Sequence, residues 1–230
     1  MGDQMNSNKP DLDRKDLNRQ QQHWETVFSC NESMFGEKPS NPALWAAQLF
    51  KDEGKKKIIE LGAGQGRDTF YFARNGFEVF ALDYCKKGIE CIKARAFNEQ
   101  SPGSIMALVH DVRKRLPFED ETFDACFSHM LYCMPLTISE LRALSLEIRR
   151  VLKPGGLNVF TTRHTQDPQY RIGTHIGEDM WKIQGGFIVH FLSREKIALL
   201  AEGYETEDIT EFEEGPLPRR LYRVVLRKND

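Results

Sequence analysis

Apolar and polar positions switch period repeatedly along the chain. Short apolar runs, "KIIEL" at 57–61, "EVFALD" at 78–83, "SIMALVHD" at 104–111, "FDACFS" at 123–128 and "LNVFTT" at 157–162, predict five strands. Between them, apolar residues at helical spacing predict helices over 69–74, 86–96 and 139–152, the first closed by Asn75-Gly76 and the last by "KPGG" at 153–156. Alternation of this kind predicts helices on both faces of a mostly parallel sheet, joined by right-handed crossovers. A helix over 193–201 and two strands, "TEDITEF" at 206–212 and "LYRVVLR" at 221–227, finish the pattern. Their connection is too short for a helical crossover, so they are expected to pair antiparallel.

Two segments stand outside this alternation. Residues 1–16 are polar and predict a disordered tail, because they carry too little apolar surface to offset the entropy of ordering. Leu17, Trp24, Val27 and Phe28 then recur at helical spacing, "MFGEKPSNP" interrupts, and a second short helix passes through Trp45, Leu49 and Phe50. Residues 17–56 therefore read as a helical extension or lid ahead of a domain over 57–230. Within that domain, 163–190 reads as an irregular insertion with Pro168, Gly173, Gly177, Gly185 and Gly186, long enough to be a binding loop.

Composition narrows the partners. With 230 residues, 32 basic against 34 acidic side chains and a net charge of −2, the chain suits one domain with a sizeable core and lacks the basic footprint of a nucleic-acid binder. No apolar run reaches the roughly 18 residues of a membrane span, and the N-terminus is polar, so a cytoplasmic protein without membrane contact is expected. The five cysteines form no C-x-x-C pair, which suggests reduced thiols, and no metal site is expected. A small-molecule partner, with a monomer or homodimer as the assembly, fits best.

The candidate chemistry begins at "IIELGAGQGRDT", residues 58–69. Gly62, Gly64 and Gly66 let backbone approach a ligand closely, but Arg67 stands where a dinucleotide fingerprint needs its third glycine. Glu60 would oppose a pyrophosphate and attract an ammonium or sulfonium charge. Asp83 ends the second strand 17 positions after Gly66, where an acid can accept both hydroxyls of a ribose, and Asp111 ends the third in "VHDV".

These stretches, with "HDVRKRLPFEDETFDACFS" and "VLKPGGLNVF", resemble the consecutive motifs of class I S-adenosylmethionine-dependent methyltransferases from about Lys57 to Thr162. "GQGRDTFYFARNGFEVFALD" is similar to the small-molecule, tellurite-resistance type within that family, although Arg219-Arg220 stand here without the histidine expected before the final strand. The resemblance implies a Rossmann-like α/β methyltransferase fold with a seven-stranded, mostly parallel sheet, a C-terminal antiparallel hairpin and helices on both faces. It implies S-adenosylmethionine as cofactor and S-adenosylhomocysteine as product. Carried over, Glu60 would hold the methionine ammonium, Gly62, Ala63, Gly64 and Gly66 would pass beside the ligand, and Asp83 would take the ribose hydroxyls with Tyr84 flanking adenine. Asp111 and Val112 would address the adenine edge, and Ser128 and His129 would lie near the methionine end.

Methyl transfer from a sulfonium needs alignment more than a base, so no catalytic residue is singled out; His129, His164, His175 and His190 are the imidazoles available. The acceptor wall is expected from Trp24 and Phe28 and, in the insertion, from His164, Tyr170, Arg171 and Trp181, with Arg163 or Arg171 able to pair a carboxylate. Core packing is the competing account of Trp24 and Phe28. A non-catalytic S-adenosylmethionine-binding regulatory module is the alternative function, and NAD-dependent reduction is disfavoured by Glu60.

Overall fold

The computed structural model describes residues 14–31, 33–98, 104–215 and 218–229, with side chains from Arg19 onward. Most of the expected tail therefore lies outside the described residues, and α1 (Arg14–Cys30) already covers the last three positions assigned to it. After α2 (Asn41–Asp52) come β1 (Lys57–Leu61), α3 (Arg67–Arg74), β2 (Glu78–Asp83), α4 (Lys86–Asn98), β3 (Ile105–Val109), β4 (Phe123–Ser128), α5 (Ile138–Val151) and β5 (Leu152–Arg163). The chain continues through β6 (Thr174–Gly177), β7 (Met180–Lys182), β8 (Ile188–His190), α6 (Arg194–Leu200), β9 (Tyr204–Glu214) and β10 (Arg219–Lys228). Among the described residues no helix is long and apolar enough to cross a membrane.

Seven strands form one sheet in the order β3-β2-β1-β4-β5-β10-β9, parallel through β5 and antiparallel for β10 and β9. This is the Rossmann-like arrangement with a C-terminal hairpin. Its central strands are buried on both faces, which is why they read as continuous apolar runs. Ile59, Leu61 and Leu82 pack with Leu141 and Ile148 of α5, whereas Ile58, Val79 and Phe127 pack with Ala46 and Phe50 of α2 and Phe72 of α3. Chain progress reverses at β1, with β2 on one side and β4 on the other, so the carboxyl ends of these strands open onto a crevice.

Two departures from the sequence pattern bear on the site. "KPGG" does not separate α5 from a strand: β5 begins at Leu152, directly after the helix, and the β4–β5 register shifts between Phe123 and Ala125 to absorb the extra residues. Second, the 163–190 stretch is not irregular. Its β6, β7 and β8 form a separate antiparallel sheet, with Trp181 opposite Val189 and His175 opposite Trp181. The β6–β7 turn places Glu178 and Asp179 at φ 51 and 64, the left-handed pair of a tight hairpin, without the Asn-Gly or Asp-Gly that would announce it. Asp179 holds that turn by accepting from Tyr170 Oη at 2.6 Å and pairing with Lys196 of α6 at 2.9 Å.

Candidate functional site

The glycine turn sits at the carboxyl end of β1 and is left-handed at Gly62 (φ 74) and Gly64 (φ 55), a region that side chains with a Cβ rarely adopt. Its shape is fixed from the next strand. Gly62 and Ala63 both donate to Leu82 O, at 2.8 and 3.1 Å, and Gly64 N donates to Asp83 Oδ2 at 2.8 Å. Asp83 Oδ1 accepts from Cys85 N at 2.8 Å, so one buried carboxylate ties the turn to the start of α4. Burial pushes Asp83 up to about 6, against the pull of those backbone donors. Its oxygens retain lone pairs toward a cavity of about 140 Å³, where Tyr84, Asp111 and Val112 also stand. Arg113 grips Asp111 through Nε at 3.0 Å and Nη2 at 2.7 Å, and Asp111 is thereby held low although burial alone would raise it.

A second cavity, of about 860 Å³, lies on the other side of the same turn. Glu60 is its buried acid: Thr69 Oγ1 donates to it at 2.6 Å, and burial, reinforced by the charge of Asp68, pushes it up to about 8. A carboxyl in that state is neutral until a cation arrives to stabilise its ionised form. The two cavities share Gly62, Gly64, His129, Met130 and Met134 as common walls, and Trp24 and Phe35 as a common roof.

The larger cavity has its own polar equipment. His129 follows β4, with Nδ1 2.8 Å from Thr161 Oγ1 and Nε2 3.3 Å from Glu214 Oε2 at the end of β9. Arg163 is 3% exposed at the end of β5; its Nε donates to Asp167 at 3.0 Å and its Nη2 to Gln169 at 2.8 Å as well as to Asp167. Its Nη1 has no partner among the described residues.

Helix α1 closes the site from above through contacts distant in sequence. Gln20 donates to Gly186 O at 3.1 Å and accepts from Ile188 N at 3.2 Å, and His23 and Trp24 pack on Phe187 with ring centroids 4.4 and 5.2 Å apart. On its other flank Glu25 accepts from Lys86 N at 2.6 Å and Lys87 N at 3.1 Å, capping α4 from outside that helix. The loop after α1 is fastened to the glycine turn, where Gln65 accepts from Met34 N at 3.0 Å and donates to Asn31 O at 2.6 Å.

Of the residues proposed from sequence, Glu60, Gly62, Ala63, Gly64, Asp83, Tyr84, Asp111, Val112, His129, Trp24 and Phe28 line one cavity or both. Six do not. Gly66 is the left-handed N-cap of α3 (φ 87), where a Cβ would come within 2.7 Å of Ile92, so it serves helix packing. Ser128 is fully buried with Oγ unpartnered, outside both cavities. His164 is buried against Tyr222, 4.5 Å between rings, with Nδ1 accepting from Gln166 N. Tyr170 is spent on Asp179, Arg171 is exposed over the Tyr170 ring, and Trp181 packs between His175 and Tyr170. His190 is a core histidine, Nδ1 against Leu136 O at 2.8 Å, and burial pushes its imidazole down to about 4.

The insertion does reach the larger cavity, but through Asp167, Gln169, Phe187 and Ile188. Those residues, with Gln20, Thr161 and Glu214, escaped the sequence reading. Only Glu214 carried a signal, as an acid beside the "GPLPRR" turn of the final hairpin.

Residues 59–160 match the family model described as a methyltransferase domain. The chain is similar to a probable methyltransferase, ltbC, of Aspergillus luteorubrus, 33% identical over 120 residues that cover 49% of this chain and 41% of that protein. It is also similar to the tRNA N(3)-methylcytidine methyltransferase trm140 of Schizosaccharomyces pombe, 25% identical over 155 residues covering 61% and 48%. The chain thus spans less than half the length of these curated relatives. Among solved structures, the Burkholderia thailandensis 1,6-didemethyltoxoflavin-N1-methyltransferase, with bound 1,6-didemethyltoxoflavin and S-adenosylhomocysteine, superposes with a TM-score of 0.74 over 99% of both chains at 13% identity, a likeness of fold.

Proposed function

We propose that this chain, whose residues 59–160 match a methyltransferase domain, transfers a methyl group from S-adenosylmethionine to a small-molecule acceptor by in-line displacement. One observation carries this reading: two cavities meet at Gly62, Gly64, His129 and Met130. The smaller offers hydrogen-bond acceptors suited to an adenosine, and the larger has room and polar groups for a second molecule. Displacement at carbon needs nucleophile, methyl carbon and leaving sulfur in line, and a shared wall is where that line would cross.

The chain's own residues fit the cofactor. Asp83 would accept the ribose hydroxyls on the lone pairs its backbone donors leave open, with Tyr84, Asp111 and Val112 around the base. Glu60 would face the methionine ammonium and ionise as that charge arrives. Bound there, the sulfonium supplies an activated methyl group with a neutral leaving group. Trp24 and Phe35, spanning both cavities, exclude water, and α1 with the loop behind it acts as a lid. A cavity of about 860 Å³ supports a metabolite-sized acceptor, since ligand clefts are typically about 300–1,000 Å³; the net charge of −2 also speaks against a polynucleotide.

Calorimetry with S-adenosylhomocysteine and NADH, followed by a labelled-methyl screen of metabolite pools and of bulk tRNA, tests the proposal. The expected outcome is S-adenosylhomocysteine binding without NADH binding, and label in small molecules. Tight cofactor binding with no label in any pool would replace the enzyme by a regulatory binding module, and label in tRNA would overturn the acceptor class.

A further inference from the structure

Thr161 hydrogen-bonds His129, whose other ring nitrogen stands beside Glu214 at the larger cavity, and the proton positions follow from the partners. Thr161 Oγ1 accepts the Met130 N–H at 3.0 Å, which leaves its own hydroxyl proton for His129 Nδ1, 2.8 Å away. An Nδ1 that accepts leaves the ring proton on Nε2, which lies 3.3 Å from Glu214 Oε2. Glu214 is partly buried and lines the cavity, with His129 as its charge contact among the described residues. Most of its lone pairs are therefore open to a ligand. The other charged groups around it are Arg67 and Asp68 from α3, Glu60 from β1, Arg163 and Asp167 at the end of β5 and Arg219 from β10. Arg67 and Arg219 favour its ionised form, and His129 does so most directly, although burial opposes it.

We infer that Glu214, positioned by the Thr161–His129 pair, takes the acceptor's proton, which makes the acceptor an N–H or O–H nucleophile rather than a thiolate or a carbanion. The inference rests on the methyltransferase reading of the site. As the bond from acceptor nitrogen or oxygen to the methyl carbon forms, the carbon–sulfur bond breaks and its electron pair stays on sulfur as a neutral thioether. The proton leaves the nitrogen or oxygen for a Glu214 carboxylate oxygen. Sulfonium, neutral acceptor and carboxylate sum to zero charge, as do thioether, methylated acceptor and carboxylic acid. An ordinary carboxylate suffices, because the heteroatom becomes strongly acidic as positive charge develops on it. His129 holds the carboxyl in place and is a positioning residue.

The test has one arm that needs no turnover. Nitrogen-15 NMR of His129 in wild-type protein saturated with S-adenosylhomocysteine should report protonated Nε2 and unprotonated Nδ1, and Glu214→Gln should shift the Nε2 resonance. An Nδ1-protonated ring, or an Nε2 resonance unmoved by Glu214→Gln, overturns the inference. In the second arm, matched phenol and thiophenol probes and an imidazole are offered with labelled cofactor. Glu214→Gln should lose about 100-fold or more in kcat with the oxygen and nitrogen probes, keep the thiophenol rate within about threefold, and regain part of the loss as Glu214→Asp. Uniform loss across all probes assigns Glu214 a structural role and overturns the inference; where no probe is methylated the NMR arm decides. Wild-type protein that fails to bind S-adenosylhomocysteine sinks the methyltransferase reading itself, an outcome distinct from these.

Discussion

The two sides of the crevice are built by different means. On the proposed cofactor side, residues close in sequence make the site: the Gly62–Gly64 turn is held by Asp83 of the neighbouring strand, and Asp83 also receives Cys85 N two residues on. On the proposed acceptor side, partners come from far apart, Gln20 with Gly186, Thr161 with His129, and Glu214 with the same histidine. Local geometry makes the first side a preformed cradle. The second is an assembly of α1, β5, the three-stranded sheet and the final hairpin, of which α1 also touches the cradle through Glu25 and the loop that Gln65 holds. That division suits a fold on which different activities are grafted as different sites.

The largest effect should come from breaking the cradle. Asp83→Ala removes the carboxylate that receives Gly64 N and Cys85 N, leaves two buried N–H groups unsatisfied and deletes the proposed ribose contact. S-adenosylhomocysteine affinity is expected to fall by about 3 kcal/mol, on the order of 100-fold, by calorimetry on folded protein. An unchanged affinity would move the cofactor out of the small cavity. On the other side, Arg163→Lys keeps a positive charge beside Asp167 but cannot reproduce the guanidinium fork that spans Asp167 and Gln169 at the cavity wall. Acceptor kcat/KM should drop by about 10-fold, near 1.4 kcal/mol, with cofactor affinity within about 0.5 kcal/mol of wild type. Loss of cofactor affinity instead would erase the division drawn above.

How much of this was legible follows from the same contrast. A glycine is written into a sequence wherever backbone must turn left-handed, and an acid at a strand end is visible beside its apolar run, so Glu60, Gly62, Gly64, Asp83 and Asp111 could be named without coordinates. The sheet was equally readable, because β1, β2 and β4 are apolar on both faces. Long-range pairing leaves no such trace. Nothing near Gln20 announces Gly186, and β6, β7 and β8 are three or four residues each, broken by glycines that read as loop. Conspicuous side chains misled for a related reason: Tyr170, Trp181 and His164 look like binding chemistry but are consumed in holding the small sheet and β5 together.

The pH dependence of stability sharpens the comparison, since the cradle carries buried acids held above their ordinary range. Glu60, raised to about 8, is protonated in the fold and ionised in the unfolded chain at neutral pH. Its contribution is fully present below its unfolded value and is lost as pH rises through 8, so the ligand-free protein should lose stability with rising pH. Asp83, raised to about 6, acts the same way but is finished by neutrality, and His190, depressed to about 4, has delivered its opposite contribution once pH exceeds its unfolded value near 6.5. A fall in melting temperature between roughly pH 7 and 8.5 is therefore Glu60's signature. Glu60→Gln should flatten that fall, and saturating S-adenosylhomocysteine, whose ammonium favours the ionised carboxyl, should reduce it. A slope that persists in Glu60→Gln would place the titrating group elsewhere.

The smallest expected effect separates residues that face the acceptor cavity from residues that only belong to the same insertion. Arg171 is exposed over the Tyr170 ring, and the Trp181 indole packs against His175 and Tyr170; neither lines a cavity. Arg171→Ala removes surface charge and should leave cofactor affinity, acceptor kinetics and stability within about 0.5 kcal/mol of wild type, as surface substitutions usually do. Trp181→Phe should cost somewhat more in stability through lost packing, again with acceptor KM unchanged. Phe187→Ala, in the same insertion but lining the cavity beneath Trp24, is the control that should raise acceptor KM. If Arg171→Ala raised that KM as much as Phe187→Ala, the acceptor would have to extend across the outer face of the small sheet, and the large cavity would not by itself define its site.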